Sequence, residues 1–203
     1  MKKTILLLTM LFVSLSSKAT LLTIDLNQDS YQVGDTLTAD FIFTDIEDDS
    51  LGFQKLLASF EFSFAWSNDL IEYSSTSFGN LLDVDPSFAS FQTIDTETNS
   101  LTINELSFAQ SIDLFTAQDG LSSFVLASIN FNVLSNGEGE FILSNILFGD
   151  AFGNNFTNIA NDIDDNYKPY VITATKPVDV PEPASILLLL MALMLIMKQR
   201  KVN

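Results

Sequence analysis

The chain has no cysteine and no histidine, and only nine of its 203 residues are lysine or arginine. Each shortage closes off a chemistry. Without cysteine there is no disulfide, thiol nucleophile, Cys-ligated zinc or iron–sulfur cluster. Without histidine there is no Ser-His-Asp or Cys-His apparatus, and no imidazole ligand or proton shuttle. Nine cations against 26 acidic residues leave a net charge of −17. That balance argues against a nucleic acid partner, because such binding needs cations to release phosphate counterions. No glycine-rich loop of the kind that cradles phosphates is present.

What remains is apolar and aromatic. Hydrophobic residues make up 47% of the chain and 18 are phenylalanine. That is not the composition of a disordered acidic tail. The length suits one domain plus terminal signals.

Both ends read as addresses. Residues 1–19, MKKTILLLTMLFVSLSSKA, place Lys2 and Lys3 before a short apolar core. Ser17-Lys18-Ala19 then puts small residues at the −3 and −1 positions of a cut after Ala19. This is the pattern of a cleaved secretory signal peptide. At the other end, residues 184–197 form an apolar run containing one polar side chain, Ser185. As a helix at ~1.5 Å per residue it would span about 21 Å, short of the ~30 Å hydrocarbon core. Its flanks favour the membrane. Pro181 and Pro183 block a helix upstream, and Lys198, Arg200 and Lys201 follow directly, as expected of a cytoplasmic stop. The expected organisation is a signal peptide over 1–19, a domain over 20–176 and a linker with its Pro-Glu-Pro motif over 177–183. A hydrophobic membrane segment over 184–197 and a basic cytoplasmic tail over 198–203 complete it.

Pro181-Glu182-Pro183, an apolar stretch and a terminal basic cluster together resemble the PEP-CTERM sorting signal. The resemblance covers about the last 24 residues. It implies recognition by an exosortase, a membrane-embedded cysteine transpeptidase-like enzyme, in an exopolysaccharide-producing Gram-negative bacterium. Pro181, Glu182 and Pro183 would be the recognition motif, with Lys198, Arg200 and Lys201 the stop-transfer cluster. It further implies an inner-membrane intermediate, then the cell surface or extracellular matrix. The apolar stretch lacks the glycines often seen in this signal, and the basic end reads KQRK rather than an arginine run.

The body alternates with period two. Phe60, Phe62, Phe64 and Trp66 fall on one face of Leu57–Trp66, with Ser59, Glu61, Ser63 and Ala65 on the other. Ser123–Val133 sets Val125, Ala127, Ile129, Phe131 and Val133 against Ser128, Asn130 and Asn132. Leu37–Thr44 alternates as well, with Ile42 the exception. Leu22–Leu26, Leu70–Ser77, Leu101–Phe108, Glu140–Phe148 and Tyr170–Thr175 are further expected strands. Turn signals separate them at Gly34-Asp35, Asp119-Gly120, Asn136-Gly137 and Gly149-Asp150. A helical turn is expected only at Thr116–Gly120 or around Ser50–Lys55. Eight or nine short strands without intervening helices predict an all-β, antiparallel two-sheet sandwich with phenylalanine as its main filler.

Tyr31 to Asp35 (YQVGD) leading into a strand, followed by Phe60 to Leu82 with Leu70, Tyr73, Phe78 and Gly79 in place, resembles the cohesin-like or carbohydrate-binding-module-like sandwich. The resemblance is architectural, of a cohesin-like or jelly-roll-like kind, and Ser67-Asn68 stands where Asp-Pro often does. Cohesins bind dockerin modules, but a shared fold does not carry a partner with it.

Carboxylates are the one abundant reactive group. Glu61, Glu72 and Glu105 lie within expected strands and Glu140 opens one; all four are expected on solvated outer faces. Asp162, Asp164 and Asp165 sit in the run NDIDDN, where hard oxygen ligands would suit Ca²⁺. That run matches an EF-hand loop poorly, and a solvated loop is the alternative. Asp45, Glu47, Asp48 and Asp49 form a second such cluster. Trp66, Tyr73 and Tyr31 are candidate platforms for sugar rings, against the alternative that they are core.

Three functional readings follow. The first is a non-enzymatic protein of the cell surface or exopolysaccharide matrix, with the sandwich as a structural or adhesive module. The second is a carbohydrate- or protein-binding recognition module, with or without calcium. The third is a glycosidase built on two carboxylates.

Overall fold

A computed structural model describes residues 20–49, 51–67, 69–157 and 167–173. The signal peptide, Asp162, Asp164, Asp165, the linker and the whole sorting signal lie outside the described residues, as does the expected C-terminal helix. Among the described residues no helix is long and apolar enough to cross a membrane.

Among the described residues ten strands and one helix follow one another: β1 (Leu21–Leu26), β2 (Tyr31–Gln32), β3 (Thr36–Thr44), β4 (Leu57–Trp66), β5 (Ile71–Phe78), β6 (Phe91–Glu97), β7 (Ser100–Leu106), α1 (Ser111–Gln118), β8 (Ser123–Val133), β9 (Gly137–Asp150) and β10 (Tyr167–Thr173). They form two sheets, of order β1-β3-β8-β5 and β2-β10-β9-β4-β7-β6. Every pairing is antiparallel except β2 with β10, which is parallel. The expected two-sheet sandwich is therefore what the chain builds.

The period-two pattern of β4 explains the core. Phe60, Phe62 and Phe64 are at most 1% exposed and Trp66 is 9% exposed. They meet the inward side chains of the facing sheet. Phe41 of β3 lies 4.8 Å from both Phe62 and Phe64 by ring centroids, and Trp66 lies edge-on to Phe131 of β8 at 5.2 Å. Offset and edge-to-face contacts of this kind add to the area burial of the rings themselves.

One expectation is corrected within β8. Val125 does not face the core; Phe124 and Leu126 do. The register of β3 with β8 slips between Phe41 and Ile42, which pair with Ala127 and Val125 and leave Leu126 as an extra residue. The bulge reverses the alternation on either side. Ile42 faces outward because β3 alternates without a break, and the bulge brings Val125 opposite it on the outer face.

Three other features differ from expectation. Strand β6 is present where no strand is predicted, and the helix begins at Ser111 rather than Thr116. Gly149-Asp150 continues β9, and the turn lies beyond it, where Asp150 accepts hydrogen bonds from the backbone N–H of Phe152 (2.9 Å) and Asn154 (2.8 Å). Gly79 follows β5, and a Cβ there would come within 2.2 Å of the Val125 carbonyl oxygen. The Gly79 N–H donates to the Leu126 carbonyl at 2.7 Å, so the close approach is part of the bulge.

Candidate interaction surface

The outer faces of the two sheets differ in chemistry. On the four-stranded sheet, Thr38 donates to Asn130 at 2.8 Å, and Asn130 donates to Ser75 at 3.1 Å. Three strands are thus stitched by polar groups that satisfy one another, and only Ile42 and Val125 interrupt them.

The outer face of β9-β4-β7-β6 follows from register. Residues directly opposite each other share a face. Ser59, Leu106 and Phe91 form one such row; Glu61, Asn104, Thr93 and Leu147 form the next; Ala65, Ser100 and Ile142 lie at the far end. Phe91 is 54% exposed, Leu147 is 55%, and Ile142 and Leu106 are more than two-fifths exposed. They are set among serine, threonine and asparagine and the carboxylates Glu61, Asp95 and Glu97, where a solvated sheet face would hold polar side chains throughout. A bulge in β9 aims Leu147 outward. The register shifts between Glu61 and Ser63, and Asn145 takes a left-handed φ of 51°. That conformation suits asparagine. At the upper end of the face a groove of about 120 Å³ is lined by Ala65, Trp66, Ser67, Glu140 and Ile142.

The glutamates separate rather than converge. Glu61 is on this outer face and accepts from Asn104 Nδ2 at 3.3 Å. Glu72 is exposed on β5 of the other sheet. Glu140 lies one position beyond the Trp66–Phe141 pair, six residues along from Glu61, roughly 20 Å at ~3.3 Å per residue. Glu105 corrects the expectation of a solvated carboxylate. It pairs with Phe60 and Gln92 on the inner face and is 1% exposed. Its Oε1 accepts from Ser90 Oγ (2.6 Å) and Gln92 Nε2 (2.9 Å). Burial pushes its pKa up, the two hydrogen bonds oppose that, and Asp83 adds to it.

None of the three candidate sugar-stacking aromatics is an exposed platform. Trp66 belongs to the core. Tyr31 is 1% exposed and donates its hydroxyl to Asn27 Oδ1 at 2.7 Å. Tyr73 is half-buried, edge-on to Phe131, with its hydroxyl 3.1 Å from that of Thr76. Tyr170, which the sequence reading did not single out, packs on Phe141 with its hydroxyl end over Gly139, where a Cβ would lie 2.4 Å from the oxygen. The hydroxyl faces Ser67 without a hydrogen bond of ordinary geometry, and burial pushes its pKa up to about 12.

The Asp45–Asp49 cluster is dispersed. Glu47 is buried and ion-paired with Lys55, whose ammonium also sits 5.2 Å from the Phe156 ring centre. Asp49 accepts from the backbone N–H of Leu51 (2.8 Å) and Phe53 (2.9 Å). Asp45 and Asp48 instead line a cleft. Among the described residues no three acidic side chains come together as metal ligands.

The sequence matches no protein-family model and no curated protein. The fold, in contrast, is that of cohesins. A cohesin module from a Clostridium perfringens family 33 glycoside hydrolase is 16% identical with a TM-score of 0.55, over 78% of this chain and 99% of its own. A non-cellulosomal cohesin from Archaeoglobus fulgidus is 11% identical with a TM-score of 0.52, over 78% and 92%. The cohesin of a type I cohesin–dockerin complex from Clostridium thermocellum is 12% identical with a TM-score of 0.53, over 77% and 95%.

Proposed function

We propose that this chain is an exported, non-enzymatic recognition module that binds a partner protein across the outer face of its six-stranded sheet. The observation that carries the reading is the contrast between the two outer faces. One closes on itself through Thr38, Asn130 and Ser75. The other holds Phe91, Leu106, Ile142 and Leu147 in water among small polar side chains and the carboxylates Glu61, Asp95 and Glu97. Exposed apolar groups rimmed by hydrogen-bonding ones are the make-up of a protein interface. The fold adds support, since several cohesins of this shape were solved in complex with dockerins. Fold likeness at this identity names no partner.

Export rests on the two termini. The signal peptide ending at Ala19 would deliver the body across the inner membrane. Pro181-Glu182-Pro183, the apolar stretch and Lys198, Arg200 and Lys201 would hold it there for an exosortase-type enzyme. The destination is then the cell surface or the exopolysaccharide matrix. No cofactor enters this reading.

The test of the binding face is a double variant, Phe91→Ser with Leu147→Ser. Both side chains are more than half exposed, so the melting temperature should hold while the amount of partner retained at the cell surface falls. Unchanged retention by a folded variant would refute the outer face as the site.

A further inference from the structure

The exit of β3, the entrances of β4 and β8 and the exit of β9 all lie at one end of the sandwich, where Thr44 pairs with Ser123 and Leu57 with Asp150. The loops at this end are tied together. Gln118 Nε2 donates to the carbonyls of Leu57 (2.8 Å) and Leu81 (3.1 Å), and Gln54 Nε2 donates to that of Leu121 (3.0 Å). On this braced surface Phe53, Phe108, Ile112, Phe115, Leu121 and Phe152 are each at least 36% exposed. Helix α1 explains part of the pattern. Leu114 and Gln118 face inward at helical spacing, while Ile112 and Phe115 face solvent where polar residues are the rule.

Beside the apolar row is a cleft of about 220 Å³ between the 45–54 loop and the turn at Gly120. Ile46 and Leu121 give it apolar wall, Gln54 and Ser122 give it hydroxyl and amide, and Asp45 and Asp48 give it two carboxylates. Neither of those carboxylates has a hydrogen bond or ion pair among the described residues, and the nearby Lys55 is already held by Glu47. The cleft is open and mostly polar, Ile46 and Leu121 being its apolar part, and its two exposed carboxylates face no cation among the described residues, so it matches the charged head of a lysine or arginine with the methylene stem laid along Leu121. We propose that this end is a second docking surface, whose occupant is a segment of a partner protein presenting a lysine or arginine among apolar side chains.

Charge selects that occupant over the others. A second copy would bring Asp45, Asp48 and Asp119 against their own kind, and an anionic lipid surface would be repelled by the same groups. This surface is distinct from the outer sheet face, so the two can be tested apart. The full chain, held in zwitterionic lipid nanodiscs, is titrated with a short synthetic peptide of leucine and lysine at helical spacing. Two control peptides carry glutamate for lysine, or serine for leucine. The leucine–lysine peptide alone should bind. Asp45→Asn with Asp48→Asn, and separately Ile112→Ser with Phe115→Ser, should each weaken it by about tenfold or more. Asparagine keeps the left-handed backbone that Asp45 adopts at φ 51°, and the melting temperature verifies folding of each variant. Phe91→Ser with Leu147→Ser should leave this affinity unchanged. Equal binding of the three peptides, unaltered affinity in the Asp45/Asp48 variant, or a wild-type chain that dimerises through Ile112 and Phe115 would overturn the proposal.

Discussion

Single residues in this fold are decided by which side of a sheet they take, and that is where sequence reading succeeds and fails. Trp66 is readable as core because it extends the run of Phe60, Phe62 and Phe64. Glu105 continues the inward row of Leu101 and Ile103, but a carboxylate is expected in water, and the Ser90 and Gln92 that cover it come from another strand and its lead-in. Its effect on stability has a definite sign. Burial raises its folded-state pKa above the ordinary value of 4.5, so between those two values the native state binds more protons than the unfolded one. The Glu105 contribution is therefore most favourable below the unfolded value and declines as pH rises through the folded one. Glu105→Gln removes the titration. The melting temperature of the variant relative to wild type should climb from pH 4 towards 7, and a constant offset would contradict the assignment. Gly79 gives a steric counterpart. Alanine there would drive its Cβ to 2.2 Å from the Val125 carbonyl oxygen, and a backbone atom cannot swing aside as a side chain can. Gly79→Ala should cost about 1–3 kcal/mol, read by chemical denaturation.

Strands with one apolar face are legible, and the others are not. β3, β4 and β7 alternate cleanly because each lies between two neighbours in a sheet with one face on the core. β6 was invisible because it is an edge strand, FQTIDTE, whose inward row Gln92, Ile94 and Thr96 holds one apolar residue. β2 spans two residues and exists through its parallel pairing with β10, a long-range contact that local pattern does not encode. The first turn of the helix is hard to read in the sequence because Ile112 and Phe115 face water and blur the 3.6-residue period. The same apolar exposure that hides the helix marks the surface proposed to bind. Core and surface phenylalanines should consequently behave as two classes. Phe62→Ala, in the fully buried stack between the sheets, should cost about 3–5 kcal/mol of stability. Phe115→Ala, nearly half exposed, should change the denaturation midpoint little.

For the molecule as a whole, the net charge of −17 averages unlike segments. Residues 20–180 hold three basic and 25 acidic residues, a net of −22, while six of the nine cations sit in the two terminal signals. A sheet protein with open edges is kept apart from its own copies by such charge. The same field favours partners carrying lysine and arginine. Export is expected to leave two marks: a mature mass lacking residues 1–19, and a surface-associated fraction that falls when the processing enzyme is deleted. Identical mass and fractionation with and without that enzyme would exclude the sorting reading. The two-sheet architecture was legible from period-two patterning across the body, while the partner was not, since the outer face draws its row of Phe91, Leu106 and Ser59 from three separate strands. The recognition claim is tested most directly by placing a photo-crosslinking residue at Leu147 on the six-stranded face, or at Asn132 on the four-stranded one, in the producing cell. One discrete cross-linked protein from Leu147 and none from Asn132 is the expected result. No product from Leu147, or the same product from both, would contradict the account.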